Sequence, residues 1–465
     1  VLPYGEYSLI EVQAPYGYAL DKTPVAFSVS SENAEKENSF TIVKVEKQNT
    51  AQKGKISVRK TGDIFTSVNM ASSAYTDENG ELVVNPTTYT PVFADGDLSG
   101  AVFQVIAVED IVTLDGTTRA YAGDVVSEIT TDENGYGETE PLYLGKYEVR
   151  EIKAPYGYVL NNEPKDVELT YAGQEFEVRD TVNTAFENEY QSVRISLSKV
   201  MENDEKFGIS AEESYKNVRF GLFAAEDITA ADGSVIPADG LIAEVSLNED
   251  MTAVIAEKIP FGKYYVQEIA TDEHYVLNGK KYLVNFEYMG QEVTTVSIDC
   301  GQFVNELKRG KIEGIKVNES NEPLENAVFG LFTADCVKFS RDTAIMTAAS
   351  DENGCFEFTD VPFGQYIVRE IESPSGYILS DKEYAVSISE DGEVIEITTE
   401  NKPITVEISK RDVYGNELVG AEMVLENADG EKVDKWTSDG TNHIVSKLGA
   451  GEYVLKEIAA PDGYI

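Results

Sequence analysis

Cysteine, histidine and positive charge are all scarce in this chain, and each shortage removes a class of function. Three cysteines, Cys300, Cys336 and Cys355, are spread over 465 residues. So odd and sparse a set cannot supply a disulfide framework. Cys336 and Cys355 remain as a candidate pair, with isolated buried thiols the simpler expectation. The two histidines, His274 and His443, lie far apart. Without a His/Cys cluster neither a zinc site nor a Cys/His catalytic centre is predicted, and no metal or cofactor is expected. Lys and Arg number 38 against 83 Asp and Glu, a formal net charge of -45. A surface this acidic excludes DNA, RNA and anionic membranes as partners. No apolar run approaches the roughly 18 residues that span a bilayer, and no long stretch carries a helical period. No stretch of it reads as a signal peptide. The chain opens inside one copy of a repeated motif and stops inside another, so a piece of a longer chain is expected, with targeting and anchoring signals outside it.

What is abundant is a short alternating run, present five times: GEYSLIEVQAPYGY at 5, GKYEVREIKAPYGY at 145, GKYYVQEIATDEHY at 262, GQYIVREIESPSGY at 364 and GEYVLKEIAAPDGY at 451. Alternation predicts a β-strand whose successive side chains face opposite ways. Tyr147, Val149 and Glu151 then share a face, as do their counterparts ending at Glu11, Glu268, Glu370 and Glu457. An apolar face that always ends in a carboxylate needs a partner for it, because burying an unpaired charge is costly.

That partner is suggested by a second recurrent strand, which opens each unit: GKISVRKTG at 54, VRISLSKVM at 193, KIEGIKVNE at 311 and ITVEISKRD at 404. Its inward face ends in Lys60, Lys199, Lys316 or Lys410; Gly314 interrupts the pattern in the third copy. A further strand lies between the two, LSGAVFQVI at 98 and its relatives at 217, 326 and 418. An asparagine precedes each opening strand: Asn49, Asn188, Asn305 and Asn401. The step from asparagine to the next lysine is 11, 11, 11 and 9 residues, and from glutamate to asparagine 38, 37, 37 and 31. Length varies instead between lysine and glutamate, where loops absorb it. The order lysine, glutamate, asparagine divides the chain into residues 1–53 (the C-terminal part of a truncated module), complete modules at 54–190, 191–307 and 308–402, and 403–465 (the N-terminal part of another). Linkers of a few residues predict modules set end to end as a rod. Asp-Glu-Asn-Gly turns at 77–80, 132–135 and 351–354 read as hairpin turns rather than calcium loops, whose acidic ligands alternate. The fold class is therefore all-β, built from tandem modules.

Lysine, glutamate and asparagine on one buried face can join covalently. A neutral amine attacks the asparagine carboxamide carbon and ammonia leaves. Burial lowers the lysine pKa and raises that of the glutamate, whose acid form polarises the amide and shuttles protons. Contact removes most of the entropic barrier. A single inward Lys–Glu couple would ordinarily be a salt bridge; recurrence with an asparagine in register argues for the bond. Asn183 competes with Asn188 for the role.

These three motifs in this order resemble the Cna-B-type, or SpaA-like prealbumin-like, modules of Gram-positive surface proteins, over essentially the whole chain. The resemblance implies a prealbumin-like (Ig-like) β-sandwich per module, with a Lys–Asn isopeptide bond between first and last strands, in stalks of adhesins and pilins on the cell-wall-anchored surface of a Gram-positive bacterium. It makes Lys60/Glu151/Asn188, Lys199/Glu268/Asn305 and Lys316/Glu370/Asn401 the bonding triads. Glu11/Asn49 and Lys410/Glu457 are incomplete sets. In the second module His274-Tyr275 stands where the motif has Gly-Tyr. The glutamates act once per module, so no enzyme is implied. An alternative function is ligand binding: the first module carries an insertion over residues 64–97, where Tyr75, Tyr89 and Phe93 would form a contact surface for host matrix protein or glycan.

Overall fold

A computed structural model describes the chain except residues 33, 34, 38, 39, 77–81 and 180; over 33–41 and 75–84 the backbone alone is described. The first of the predicted hairpin turns, at 77–80, lies outside the described residues. Strands dominate, and the one α-helix among the described residues is the four-residue Ala211–Ser214. No described helix is long and apolar enough to cross a membrane.

Three two-sheet sandwiches repeat one topology. In the first, Ile56–Ala71 lies between antiparallel Tyr136–Glu138 and parallel Val182–Asn188. The facing sheet runs Val125–Thr130, Val102–Ala107, Gly145–Lys153, Lys165–Leu169. The second sets Ser192–Met201 between Thr252–Ile255 and Thr295–Asn305, against a sheet of Leu241–Ser246, Arg219–Ala224, Gly262–Ala270 and Tyr282–Phe286. The third sets Arg309–Asn318 between Cys355–Pro362 and Val394–Asn401, against Met346–Ala349, Val328–Thr333, Gly364–Glu372 and Glu383–Ile388. In each the opening strand is central and the closing strand runs parallel beside it. Such a pair needs a long crossover, and here that crossover is the rest of the sandwich.

The alternating tyrosine strand behaves as its pattern demands. Tyr147, Val149 and Glu151 are buried, and so are Tyr264, Val266, Glu268 and Tyr366, Val368, Glu370. Each tyrosine hydroxyl donates to the carbonyl four residues earlier: Tyr147 to Tyr143, Tyr264 to Pro260, Tyr366 to Pro362. The polar tip of a large buried ring is thereby satisfied locally.

Gly314, an apparent weak point, is a packing device. Phe356 lies over it: a Cβ added there would fall 2.0 Å from the ring. Phe356 in turn stacks on Phe329 at 3.9 Å and 8°. The missing side chain makes room for the ring that fills that part of the core.

Four expectations change. The 64–97 insertion is a hairpin that leans on the second sandwich: Phe65, Val68 and Tyr89 pack against its core, and Phe93 sits 5.2 Å from the Tyr190 ring. Tyr89 and Phe93 are half-buried, not an open contact surface, because the neighbouring sandwich covers them. Thr88 bridges to Leu241, which joins sheets of both sandwiches. The Tyr75 side chain lies outside the described ones. Second, the cysteines are free thiols, and none is fully buried. Third, Lys410 does not lie on a strand: the opening strand there is Thr405–Ile408, paired on one side only, with His443–Ser446. Fourth, the faces of the first and last copies are not buried, for Leu9 and Leu455 are 43% and 45% exposed. Their strands, Gly5–Leu9 and Tyr453–Ala459, lie in sheets of two and three strands.

Candidate functional site

Register brings lysine and asparagine together. In the first sandwich Lys60 is opposite Phe186 and Asn188 is opposite Gly62. In the second Lys199 is opposite Phe303 and Asn305 opposite Met201. In the third Lys316 is opposite Thr399 and Asn401 opposite Asn318. The offset is two residues each time, one full side-chain repeat, so both groups point to the same face. Asn183 has the other parity: it is exposed and its Oδ1 accepts from Ser57 Oγ.

The glutamate arrives from the facing sheet. Its strand pairs with the middle strand through Phe103, Phe220 or Phe329, and in all three the register slips beside that phenylalanine. A bulge re-aims the side chain at that point, turning the carboxylate toward the asparagine.

All nine side chains are buried; Lys60, Glu151 and Asn188 are 0%, 2% and 2% exposed. Asn188 Nδ2 donates to Glu151 Oε1 at 2.9 Å, and the equivalent bonds from Asn305 to Glu268 and Asn401 to Glu370 have the same length. Lys60 Nζ donates to Asn188 Oδ1 at 2.5 Å, Lys199 to Asn305 at 2.6 Å, Lys316 to Asn401 at 2.6 Å. Lysine to glutamate is 3.8 Å in the first set, 2.7 Å in the second and 3.6 Å in the third. Each carboxylate spends its other oxygen on a backbone N–H ten residues on, from Asn161, Asn278 or Ser380. A phenylalanine ring flanks the ammonium, 5.7 Å from Lys199 and 5.8 Å from Lys316.

Burial governs the ionisation. It pulls the Lys60 amine down to about 8 and lowers Lys199 and Lys316 as well. It pushes Glu151 and Glu370 up from the ordinary carboxylate value. Losing water disfavours both charged forms, so the proton is shared more evenly than between the same groups in water.

Two positioning groups escape sequence reading. The lysine's own N–H donates to the last residue of a turn: Lys60 to Gly135, Lys199 to Met251, Lys316 to Gly354. Gly135, Met251 and Gly354 all have positive φ. The second is the N–H ten residues after each glutamate, from Asn161, Asn278 or Ser380; only the constant spacing could have pointed to it, since the residue type varies. The motif tyrosine closes the far side, Tyr158 donating to Asp63 and Tyr275 to Glu202. His274 holds its turn without the left-handed backbone of Gly157; its N–H and ring both contact Asp272 Oδ1.

The partial sets are assembled as far as their members allow. Asn49 Nδ2 reaches both Glu11 oxygens, at 2.7 and 2.8 Å. Lys410 Nζ lies 3.1 Å from Glu457, both partly exposed. Among the described residues no group of three or more His, Cys, Asp or Glu is placed to hold a metal.

Comparison with known proteins bears on the fold. The chain is 30% identical over 84 residues to the trypsin-resistant surface T6 protein of Streptococcus pyogenes, a match covering 18% of this chain and 14% of that protein. Its fold resembles that of the Bacillus anthracis TIE protein, at a TM-score of 0.50 and 18% identity over 86% of this chain and 76% of the other. BcpA, the major pilin subunit of Bacillus cereus, aligns over 76% of this chain and all of its own at 17% identity, with a TM-score of 0.33. The SpaA model, a prealbumin-like fold domain, matches residues 1–44, 93–183, 310–403 and 404–465. With more than half of its length matched, and with one sandwich topology recurring along it, the chain belongs to the SpaA prealbumin-like fold domain family.

Proposed function

We propose that the chain is part of the structural stalk of a Gram-positive cell-surface adhesin or pilin-like protein, lying outside the cell. Residues 54–190, 191–307 and 308–402 each close one Lys–Asn isopeptide bond without an enzyme. Residues 1–53 and 403–465 are parts of two further modules. One observation carries the reading. Three separate sandwiches put an amine, a carboxamide and a carboxyl group in hydrogen-bond contact, buried, with the same strand register.

The chemistry needs no outside reactant. With the proton on Glu151 rather than Lys60, the neutral Nζ attacks Asn188 Cγ. The new C–N bond forms as the bond to Nδ2 breaks. The amine gives up a proton, Glu151 relays one to the departing nitrogen, and ammonia leaves; the carboxyl group ends as it began. Glu151 already contacts that nitrogen, so the acid stands where the leaving group needs it.

Intact-mass measurement tests the proposal. The expected mass falls short of the sequence mass by one ammonia per bond, three in all; a mass equal to the sequence overturns it. In a crystal the bonded Nζ–Cγ distance would be about 1.33 Å, the length of an amide C–N bond.

A further inference from the structure

We infer that two of the four boundaries along this chain are welded by a glutamine joint, and that the other two lack it and move more freely. All four share one backbone contact. The residue three past each closing asparagine donates its N–H to the preceding turn: Gln52 to Gly17, Gln191 to Gly157, Lys308 to His274, Ile404 to Gly376. Only the first two of these residues are glutamines, and both are buried, at 1% and 0% exposure.

Their side chains thread the next sandwich. Gln191 Nε2 donates to Gly290 and Val293 carbonyls, and its Oε1 accepts from Met289 N–H. Gln52 does the same with Gly173, Phe176 and Ala172. A second glutamine answers from the other side. Gln291 Oε1 accepts from Ala154 N–H and its backbone carbonyl from Leu160 N–H. Gln174 accepts likewise from Ala14 and Leu20. A pair of rings also meets across each of these boundaries, Tyr156 on Tyr288 at 4.8 Å and Tyr16 on Tyr171 at 4.6 Å.

The pattern is readable: a tyrosine after the motif proline, a glutamine three past the asparagine, and Tyr-x-Gly-Gln-Glu in the next sandwich, at 171–175 and 288–292. The third sandwich has Glu-Asp-Gly-Glu at 390–393 instead. There Glu393 folds back on Ser389 and Glu390 of its own turn. Beside the ring contacts Phe207–Tyr366 and His274–Phe363, the boundary after Asn305 relies for its side-chain polar contacts on a partly exposed ionic cluster, Arg309 with Glu202, Asp204 and Asp360. Such pairs hold weakly and are screened by salt. A buried amide is not screened by salt, and opening it gives up several hydrogen bonds at once. The joint is independent of whether the buried lysines are bonded.

Hydrogen exchange on the whole chain tests this. The amides of Ala14, Leu20, Ala154 and Leu160 are expected to exchange at least about tenfold slower than those of Thr271, Leu277, Ser373 and Leu379, which occupy the same places at the other boundaries. In Gln191→Ala, Ala154 and Leu160 are expected to exchange as fast as Leu277, while strand Arg219–Ala224 stays protected. Equal exchange at all four boundaries of the natural protein overturns the inference. So does a folded Gln191→Ala variant whose Ala154 and Leu160 stay slow. Should that variant not fold, the comparison within the natural protein decides.

Discussion

Glu151 faces two demands. One oxygen accepts from the Asn161 N–H, which holds the carboxyl group in place, and the other meets Asn188. Replacing it by glutamine keeps the shape and removes the transferable proton. Glu151→Gln is therefore expected to retain the first sandwich's ammonia, read by mass. The lost bond would have closed a loop of 128 residues, worth about 4–5 kcal/mol if chain entropy acts as it does for disulfides, and melting should show that loss. The pH dependence follows from the pair. Lys60 is depressed to about 8 and Glu151 is raised, both by burial. The reactive species of the proposed reaction carries one proton between them, on the carboxyl group. Below the raised Glu151 value both groups are protonated and the amine is inert; above about 8 both are deprotonated and the acid is gone. Ammonia release from freshly synthesised chains as they first fold should be bell-shaped in pH, with its upper limb falling beyond about 8.

At the scale of elements, the hairpin turn and the opening strand act as one part. Gly354 takes φ 75 and hands its carbonyl to Lys316 N–H. A Cβ there would meet the Lys316 carbonyl oxygen at 2.3 Å. Gly354→Ala should cost about 1–3 kcal/mol through the strained backbone. It should also slow bond closure in the third sandwich, measured by ammonia release from a peptide containing Lys316. Gly314→Val places a branched side chain where the Phe356 ring lies. A loss of about 1–3 kcal/mol or more is expected in thermal melting, against well under 1 kcal/mol for an exposed strand position. Much of this level was legible. The recurrent glutamate strand showed its buried face, and steady spacings marked lysine, glutamate and asparagine. Less legible was the role of Gly314, since a single pattern of apolar positions cannot show which ring crosses from the neighbouring strand.

For the whole molecule the proposed bonds decide how force passes. A link from Lys60 to Asn188 would tie parallel neighbours, so that tension would enter on one strand and leave by the next without opening the sandwich. Stretching single molecules from their ends should extend residues 1–53 and 403–465, which hold no complete triad, and draw little further length from 54–402 before rupture. Glu151→Ala should add the length of the 128 released residues, at about 3.3–3.6 Å each. No added extension would show that the first sandwich carries no such link. Because the cysteines are free thiols, reductant should leave the force curve unchanged. The insertion at 64–97 also belongs to this scale. Its composition suggested an open surface, yet Phe65, Val68 and Tyr89 find their apolar partners on the second sandwich.

By itself the sequence determined the strand class, the repeat order and which polar side chains would have to be buried. Alternation and spacing are local properties, and each needs only the period of an extended chain. Tertiary structure decided the rest. It chose Asn188 over Asn183, because parallel pairing with Ile56–Ala71 fixes which residues share the lysine's face. It turned each glutamate inward at a bulge and laid the hairpin on its neighbour. It also set two glutamines across each of two boundaries. Such choices depend on contacts between segments about a hundred residues apart, and no local pattern encodes the geometry of that meeting.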